Sequence, residues 1–208
     1  IFDCDGVILD SNRLKSDAFV ATLKNESEND IVKFLQYHHD NGGISRFEKF
    51  RYFFEEIKRI SNSKIEREKA ILLYSKIVKR KLLHCKLIPG ILDFIKIEKR
   101  KEKKLFVVSG SEEKELNEIF INRGIESYFD KIYGSPNDKY KNTEKVIKLM
   151  GNQKKGIFFG DSKSDFLAAN KFGLDFVFVE EKSEWNSDIN VFSTNFSNTI
   201  NNFIDLLN

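Results

Sequence analysis

The chain begins with IFDCDGVILD (residues 1–10), in which two carboxylates, Asp3 and Asp5, follow apolar residues and precede a glycine. Side chains alternate along a β-strand, so residues two positions apart project to the same side. Asp3 and Asp5 are therefore expected to lie together at the end of a strand, where like charges repel each other and resist joint ionisation. This stretch predicts a strand that ends at a site for a cation or for proton transfer.

Length and composition predict a soluble globular protein and exclude several classes. The 208 residues suit one large domain or a core with an inserted lobe, and 40% of them are hydrophobic. The net charge of +3 is too small to indicate a nucleic-acid partner. No apolar run approaches the roughly 18 residues of a membrane span, and no signal-peptide pattern precedes the first strand. We therefore expect no membrane association and a cytoplasmic location.

Two smaller features add to this context. Cys4 and Cys85 lack a CxxC spacing, so they indicate neither a disulfide framework nor a zinc site and favour a reducing compartment. The chain has no initiator methionine and its first strand is short, which leads us to expect that a few N-terminal residues are missing. Nothing in the sequence indicates the oligomeric state.

Residues 13–87 carry almost no strand pattern. Their apolar residues recur instead at helical spacing, as in FEKFRYFF (47–54). Breaks near HDNGG (39–43) and SNS (61–63) divide the stretch into about four helices. We predict that residues 13–87 form an all-helical cap inserted after the first strand.

From residue 88 onward the pattern changes to short apolar runs, as expected of strands buried on both faces. Amphipathic helical stretches separate these runs, and such alternation predicts an α/β fold with a parallel sheet and right-handed crossovers. Residues 1–12 and 88–208 are therefore predicted to form the core. The predicted strands are LFVVSG (105–110), KIYGS (131–135), GIFFGD (156–161) and DFVFVE (175–180), and the predicted helices are Ile91–Lys99, Glu112–Asn122, Glu144–Met150 and Asp165–Phe172.

Polar residues follow the N-terminal strand and the next three predicted strands of the chain. In an open parallel sheet, ligands bind outside the carboxyl ends of the strands. The strand ends supply acids, then a hydroxyl beside a small residue, then a cation, then more acids, which suits a phosphate group held with a metal ion. In chain order these residues are Asp3 and Asp5, Ser109 and Gly110, Lys139 and Lys141, and Asp161 and Asp165.

Four short motifs in this order resemble those of the haloacid dehalogenase superfamily. DCDGV (3–7) is similar to its first motif, DxDG[TV], and VVSG (107–110) to its second, a hydroxyl after a hydrophobic strand. SPNDKYK (135–141) is similar to the third, with its lysine, and GDSKSD (160–165) to the fourth, GDxxxD. The chain looks most like the phosphoglycolate-phosphatase-like and β-phosphoglucomutase-like subgroup. The resemblance implies a Rossmann-like three-layer core whose helical C1-type cap is residues 13–87.

The resemblance also implies an activity, that of a phosphatase acting on a small phosphorylated metabolite such as a sugar phosphate or a phosphoglycolate-like acid. Asp3 would be the nucleophile that becomes a phosphoaspartate, and Asp5 would protonate the leaving oxygen and then deprotonate the attacking water. Ser109 and Gly110 would hold the transferring phosphoryl oxygens, and Lys139 would add a positive charge.

A magnesium ion is implied as the cofactor. A carboxylate that meets a phosphate dianion is repelled by about 4 kcal/mol per unit-charge pair at about 4 Å, for an effective dielectric near ~20. Mg²⁺ is a hard cation that prefers oxygen ligands, and it would offset this repulsion. Its ligands would be the Asp3 carboxylate, the Asp5 backbone carbonyl and Asp161, with Asp165 binding directly or through water.

Three assignments keep alternatives. Asp165 suits the first turn of the following helix as well as it suits a metal. Ser111 is better placed than Ser109 to cap the helix after its strand, although the motif favours Ser109 as the functional hydroxyl. Lys141 competes with Lys139, which we prefer as the motif lysine.

The predicted cap contains the unusual stretch YHHDNGGISRFEKFRYFF (37–54). Arg46 or Lys49 could contact a substrate anion, of which we keep Arg46 as the candidate, and the glycine pair would let the loop move. In the simpler interpretation the aromatic residues form a buried helix face, and basic residues such as Lys49 form its solvated face. His38 and His39 lack a third ligand at metal spacing, so no zinc site is expected there.

Two further functions stay open from the residues alone. A phosphosugar mutase would share the nucleophile and the acid–base pair, and would differ by excluding water from the phosphoenzyme. A metal-binding module without turnover could act in regulation. The complete set of acid, hydroxyl and cation positions favours the phosphatase.

Overall fold

The structure, a computed structural model, describes residues 1–151, 155–186 and 188–207. It has the α/β architecture that the sequence predicts, with parallel strands separated by helices. Within these ranges, no helix combines the length and the apolar character that crossing a bilayer would require.

The strands are β1 (Phe106–Glu112), β2 (Lys131–Ser135), β3 (Ile157–Gly160), β4 (Asp175–Val179) and β5 (Asn198–Ile200). All of their pairings are parallel: β1 pairs with β2, and β4 pairs with β3 on one side and β5 on the other. The apolar runs follow from this arrangement, because a parallel sheet is covered by helices on both faces. The sequence analysis did not predict β5, which is too short to show a periodic pattern.

The first residues of the chain join these strands into one sheet. Phe2 forms parallel bridges to Val107 of β1 and to Phe159 of β3. The Phe2 amide donates to the Phe106 carbonyl at 2.9 Å, and the Asp3 amide donates to the Phe159 carbonyl at 2.9 Å. The strand order is therefore β2, β1, the N-terminal segment, β3, β4 and β5, with Asp3 in the middle of the sheet.

The helices between the strands are α5 (Ile91–Arg100), α6 (Glu113–Asn122), α7 (Lys139–Met150) and α8 (Lys163–Lys171). The bounds of α5, α6 and α8 lie close to the predicted ones, but α7 begins at Lys139 rather than at Glu144. The reason is a cap, because the Asp138 carboxylate accepts a hydrogen bond from the Lys141 amide at 2.8 Å. The earlier start places Lys139 in the first turn of α7, beside the end of β2.

Residues between the first strand and α5 form the helices α1 (Asn12–Thr22), α2 (Glu28–Asp40), α3 (Arg46–Tyr52) and α4 (Lys64–Leu82), and α3 continues into a π-helical turn, Phe53–Ile57. We call this stretch the helical segment. Leu9 forms an antiparallel bridge to Leu87, so the chain leaves and re-enters the core at one place. The division into a cap of residues 13–87 and a core of residues 1–12 and 88–208 stays a prediction.

Aromatic side chains hold the helical segment together. Phe19 of α1 stacks on Tyr74 of α4 with ring centroids 4.2 Å apart, and it also contacts Phe34 of α2 and Phe50 of α3 at 5.2 and 5.3 Å. All four rings are buried, and of the aromatic residues predicted to form a buried face in residues 37–54, Phe50, Phe53 and Phe54 are buried. Burial of each large apolar side chain contributes roughly 1.5–3 kcal/mol, and each ring pair adds about 0.5–1.5 kcal/mol.

Candidate active site

Three buried carboxylates converge at one edge of the sheet. Asp3 ends the N-terminal segment, Asp161 follows β3, and Asp165 lies in the first turn of α8. One oxygen from each carboxylate lies within 4.8 Å of the others. The sheet accounts for this meeting, because the carboxyl ends of neighbouring parallel strands share one edge.

A lysine ammonium lies among these carboxylates. Lys139 Nζ donates to Asp3 Oδ2 at 2.9 Å and to Asp165 Oδ1 at 2.5 Å. Lys141, the alternative from the sequence, is exposed on the next positions of α7. The structure therefore brings Lys139, rather than Lys141, to the carboxylates.

Burial and crowding oppose full ionisation of the cluster. Burial, and next the charge of Asp165, raise the pKa of Asp3 to about 7. Burial, and next the charge of Asp3, raise the pKa of Asp161 well above its usual range. Three ionised carboxylates with a single lysine leave two negative charges unbalanced, and the low dielectric strengthens their repulsion.

The donor set fits a divalent cation. All three groups offer hard carboxylate oxygens, and a doubly charged ion would balance the two excess charges. Asp161 is also oriented from outside the cluster, because Asn12 Nδ2 donates to Asp161 Oδ2 at 2.5 Å. Asp3, Asp161 and Asp165 are therefore the residues that could hold such an ion.

Asp165 also serves its own helix. Its Oδ2 accepts hydrogen bonds from the Ser162 amide at 3.2 Å and from Ser162 Oγ at 2.5 Å, while its Oδ1 accepts from Lys139. These contacts make up the capping role that the sequence allowed. Metal binding by Asp165 stays a prediction beside it.

Asp5 has a separate set of partners. Its carboxylate accepts from Lys15 Nζ and from Ser11 Oγ, each at 2.5 Å, and from Ser111 Oγ at 3.0 Å. Burial acts to raise the pKa of Asp5, but the Lys15 charge and these hydrogen bonds outweigh burial and lower it. Asp5 is therefore anionic near neutral pH in this arrangement.

Three small residues lie near the end of β1, and one of them, Ser111, contacts Asp5. Ser109 is fully buried, and its Oγ accepts from the Ser111 amide at 3.2 Å, whereas Gly110 and Ser111 line a pocket between the sheet edge and the helical segment. The expectation that Ser111 caps the next helix is wrong. The cap position is Glu112, and the Ser111 hydroxyl bonds Asp5 instead. The roles of Ser109 and Gly110 in holding phosphoryl oxygens stay predictions.

The loop between α2 and α3 (residues 41–45) covers the carboxylates. Gly43 has a φ of +77°, and a Cβ at this position would lie 2.6 Å from Lys139 Nζ. A Cβ at Gly110 would clash with the Gly43 carbonyl oxygen. Glycine at these two positions lets the backbone of the helical segment approach the backbone of β1 directly above the site.

Arg46, the predicted substrate-binding residue, is buried in an ion pair. Both of its terminal nitrogens donate to the Glu115 carboxylate of α6, with Nη1 at 2.9 Å from Oε2, and Nη1 also donates to Ser75 Oγ at 2.7 Å. Such bidentate pairs are strong and geometrically specific. The pair ties the helical segment to the core, although Arg46 also contributes to the pocket wall. Substrate binding by Arg46 stays a prediction.

The expectation that Lys49 lies on a solvated face is wrong, because Lys49 is only 4% exposed. Its Nζ lies 2.6 Å from Nδ1 of His38, and both side chains line the pocket. The amphipathic pattern of α3 predicts that this face is exposed to solvent. In the structure, α2 packs against this face and the pocket lies beside it.

The structure corrects the statement that His38 and His39 lack a third ligand. Glu184 Oε2 lies 4.0 Å from His38 Nε2 and 3.5 Å from His39 Nδ1. However, Ser16 Oγ lies 2.8 Å from His38 Nε2 and donates to Glu184 Oε2 at 2.9 Å, and the other nitrogen of His38 faces Lys49. A hydroxyl in the bridging position and an amine on the far side favour a hydrogen-bonded network over a metal.

Sequence reasoning missed several residues of this site. Asn12 and Lys15 lie in the first turn of α1, one helical turn apart, immediately after the first motif, which was an available signal. Glu184 and Trp185 line the pocket from the segment after β4, the one strand end that the sequence analysis did not examine for polar residues. Lys49 was considered beside Arg46 as an anion contact but was not kept, because its burial depends on the packing of helices remote in sequence.

A family model described as haloacid dehalogenase-like hydrolase matches residues 1–179 of the chain. The matched range includes all of the converging carboxylates, Lys139 and the helical segment. A search of curated proteins by sequence finds no match.

Solved structures share the fold at low sequence identity. A haloacid dehalogenase-like family hydrolase from Streptococcus pneumoniae is 20% identical with a TM-score of 0.72, and the match covers 99% of this chain and 94% of that chain. A β-phosphoglucomutase from Clostridium difficile is 20% identical with a TM-score of 0.74, covering 99% and 91%. A protein described as a predicted phosphoglycolate phosphatase from Haemophilus somnus is 18% identical with a TM-score of 0.75, covering 99% and 94%. At these sequence identities, the comparisons show a shared fold.

Proposed function

The chain belongs to the haloacid dehalogenase-like hydrolase family, and we propose that it is a Mg²⁺-dependent phosphatase acting on a small phosphorylated metabolite. One observation carries the proposal: Asp3, Asp161 and Asp165 meet around Lys139 beside a pocket. Members of this family generally use a divalent metal. A cluster with two excess negative charges is costly to bury, and a function that binds a cation explains it.

In the proposed reaction, a carboxylate oxygen of Asp3 attacks phosphorus and the bond from phosphorus to the metabolite oxygen breaks. A phosphoaspartate forms, and Asp5 gives a proton to the departing oxygen. Asp5 then takes a proton from water, whose oxygen attacks phosphorus, breaks the bond to Asp3 and releases inorganic phosphate. The hydrogen bonds that Asp5 accepts favour its anionic form, which suits the second half of the reaction. In the first half of the reaction Asp5 must carry a proton, and this requires its ion pair with Lys15 to weaken.

The positive groups would lower the barrier electrostatically. Mg²⁺, when bound, would supply charge that screens the nucleophile from the phosphate dianion. Asp3, Asp161 and Asp165 would hold it, with the Asp5 backbone carbonyl as a further ligand. Lys139 neutralises part of the carboxylate charge, and the Ser109 hydroxyl and the Gly110 amide would bind phosphoryl oxygens.

The pocket favours a small substrate. Its cavity volume is about 70 Å³, and a water molecule needs about 10–15 Å³ on such a measure. The space therefore suits a phosphoryl group with a few further heavy atoms, rather than a phosphorylated protein side chain presented by a large partner.

The proposal is tested by hydrolysis of para-nitrophenyl phosphate by the full chain, after chelator treatment, with and without added Mg²⁺. We expect inorganic phosphate to be released only when the metal is present. No phosphate release with Mg²⁺, Mn²⁺ or Co²⁺ would overturn the proposal and favour a module without turnover. A panel of phosphorylated metabolites then identifies the substrate, and recovery of an isomeric phosphate instead of inorganic phosphate would indicate a mutase.

We expect Gly43→Ala to impair this activity by holding the loop away from the site. Its Cβ would collide with the side chains of Lys139 and Ser162, and its positive φ is unfavourable for alanine. The loop can relieve the strain by withdrawing, so kcat/KM should fall by about tenfold or more while the midpoint of thermal unfolding moves by less than about 3 °C.

Gly42→Ala is the matched control for this variant. The nearest neighbour of a Cβ at Gly42 is the Ser162 Cβ at 3.2 Å, and the φ of Gly42 is not in the positive range. Its kcat/KM should fall by less than about threefold. Equal losses in the two variants would contradict the idea that close backbone approach at Gly43 matters.

Binding of Mg²⁺ should stabilise the protein more at high pH than at low pH. The raised pKa values of Asp3 and Asp161 mean that the folded state binds protons more tightly than the unfolded state, so protons compete with the metal as the pH falls. At about pH 8, saturating Mg²⁺ should raise the unfolding midpoint by roughly 5 °C or more, and at about pH 5 by less than half of that. Equal shifts at the two pH values would show that these carboxyls do not bind the ion.

A further inference from the structure

Of the basic side chains fully buried in the described part of the chain, Lys49 alone has no acidic partner within salt-bridge distance. Arg46 pairs with Glu115, and Lys139 pairs with Asp3 and Asp165. A buried ammonium without a counter-charge is costly, and proteins rarely keep one without a function. The question is therefore what compensates the charge of Lys49.

The hydrogen bonds around His38 determine how many N–H groups of Lys49 remain for a ligand. The Ser16 hydroxyl has two acceptors for its single proton, Glu184 Oε2 at 2.9 Å and the Asn12 carbonyl at 3.2 Å, so Ser16 Oγ is free to accept from His38 Nε2, 2.8 Å away. His38 Nδ1 is then an acceptor, and it takes one proton from Lys49 Nζ at 2.6 Å, while the His38 carbonyl accepts a longer hydrogen bond from Nζ at 3.5 Å. Burial lowers the pKa of His38, which agrees with a neutral ring.

Lys49 lines the pocket, so its remaining N–H groups are available to a ligand bound there. The wall includes His38 and Lys49 from the helical segment together with Asp3 and Asp5 from the sheet edge. Burial, and next the charge of Lys15, lower the pKa of Lys49 to about 7, so an anion entering the pocket would restore its protonated form. The Lys49 ammonium also lies 5.7 Å from the centroid of the Phe19 ring.

We propose that Lys49, oriented by His38, forms an anion subsite that binds a carboxylate of the substrate while the phosphoryl group lies at Asp3. This inference rests on the proposed function and narrows its substrate class to phosphorylated carboxylic acids. A carboxylate fits better than a second phosphate, because Lys49 offers a single charge and Glu184 lies on the other side of His38. A phosphate dianion there would leave excess negative charge.

The experiment compares matched substrates that differ in the second anion. The full chain with Mg²⁺ is assayed on 3-phosphoglycerate and on glycerol 3-phosphate, which share three carbons and one phosphate but differ by a carboxylate. The second substrate pair is glycerol 1,3-bisphosphate and glycerol 3-phosphate, which tests a second phosphate on the same three carbons. We expect the kcat/KM ratio of acid to alcohol to be about tenfold or more, and that of bisphosphate to monophosphate to be smaller.

Lys49→Met removes the charge and keeps a similar shape, and it should lower the acid-to-alcohol ratio by about tenfold or more. Lys49→Arg should retain part of the preference. Without substrate, Lys49→Met should raise the unfolding midpoint by about 2–4 °C because an uncompensated buried charge is lost. Arg46→Met is the matched control on the same helix, and it should lower the midpoint by about 4 °C or more because it strands the Glu115 carboxylate.

The outcomes separate this inference from the function on which it rests. If para-nitrophenyl phosphate is hydrolysed but the acid-to-alcohol ratio is near one, or does not change in Lys49→Met, the subsite is overturned and the phosphatase stands. A preference for the bisphosphate above that for the acid would overturn the carboxylate assignment. A lower unfolding midpoint in Lys49→Met would assign Lys49 a structural role. Absence of all phosphate release would end both proposals.

Discussion

Asp3→Asn should abolish phosphate release, lowering kcat by about 10⁴-fold or more. An amide oxygen is neutral and a far weaker nucleophile than the carboxylate oxygen that attacks phosphorus, so the phosphoaspartate does not form. The Asp3→Asn substitution also removes one oxygen ligand and one negative charge from the cluster with Asp161 and Asp165. The measurement is release of inorganic phosphate from para-nitrophenyl phosphate with saturating Mg²⁺, under single-turnover and multiple-turnover conditions.

The matched control is Asp17→Asn, the same substitution at an exposed position of α1. Its kcat should stay within about twofold of that of the unsubstituted chain, as is usual for surface changes. Circular dichroism and the unfolding midpoint establish that Asp3→Asn keeps its fold. A folded Asp3→Asn variant that retains more than about a tenth of the activity would show that Asp3 is not the nucleophile.

Lys139→Met should lower kcat/KM by about 10³-fold, the second largest effect that we expect. Lys139 donates to Asp3 and Asp165 at 2.9 and 2.5 Å, and its loss leaves the three carboxylates without a cation from the protein. Asp3 would then rotate or take up a proton more readily, because the lysine charge is one of the influences that hold its pKa down. Steady-state kinetics with several Mg²⁺ concentrations measure the loss and show whether metal affinity changes with it.

Lys141→Met is the control that the sequence itself suggests, because Lys141 is the other lysine of the third motif. Lys141 is exposed on α7, so its kcat/KM should change by less than about twofold. Breaking a buried ion pair costs about 3–5 kcal/mol, so both variants are assayed well below their unfolding midpoints. If the two variants lose activity equally, the contacts of Lys139 do not matter for turnover.

Much of the fold followed from local patterns. Apolar runs such as FVFV (176–179) predict buried strands, because only a strand covered on both faces needs apolar residues at successive positions. All four of these residues lie in β4 and are buried. Prediction failed where a local contact overrode periodicity, as at the start of α7, where Asp138 caps the helix before the apolar pattern begins. It also failed at β5, where three residues are too few to show a period.

The order of the motifs along the chain was enough to identify which side chains converge. Asp3, Lys139 and Asp161 each follow a strand of one parallel sheet, and parallel strands necessarily bring their carboxyl ends to one edge. The N-terminal segment pairs with both β1 and β3, which accounts for the central position of Asp3. The spacing therefore predicts which side chains meet at this edge, and their catalytic roles stay predictions.

The sequence by itself determined strands β1 to β4, the run of helices after the first strand and the identity of the groups at the strand ends, because these depend on contacts between near neighbours and on a repeating geometry. Only the tertiary structure decided the environments of the cations above the site. Arg46 and Lys49 lie one turn apart on α3 and look alike in sequence, yet one meets Glu115 and the other meets His38. The partner of a buried charge is determined by packing between elements remote in the chain, and helical periodicity carries no information about it.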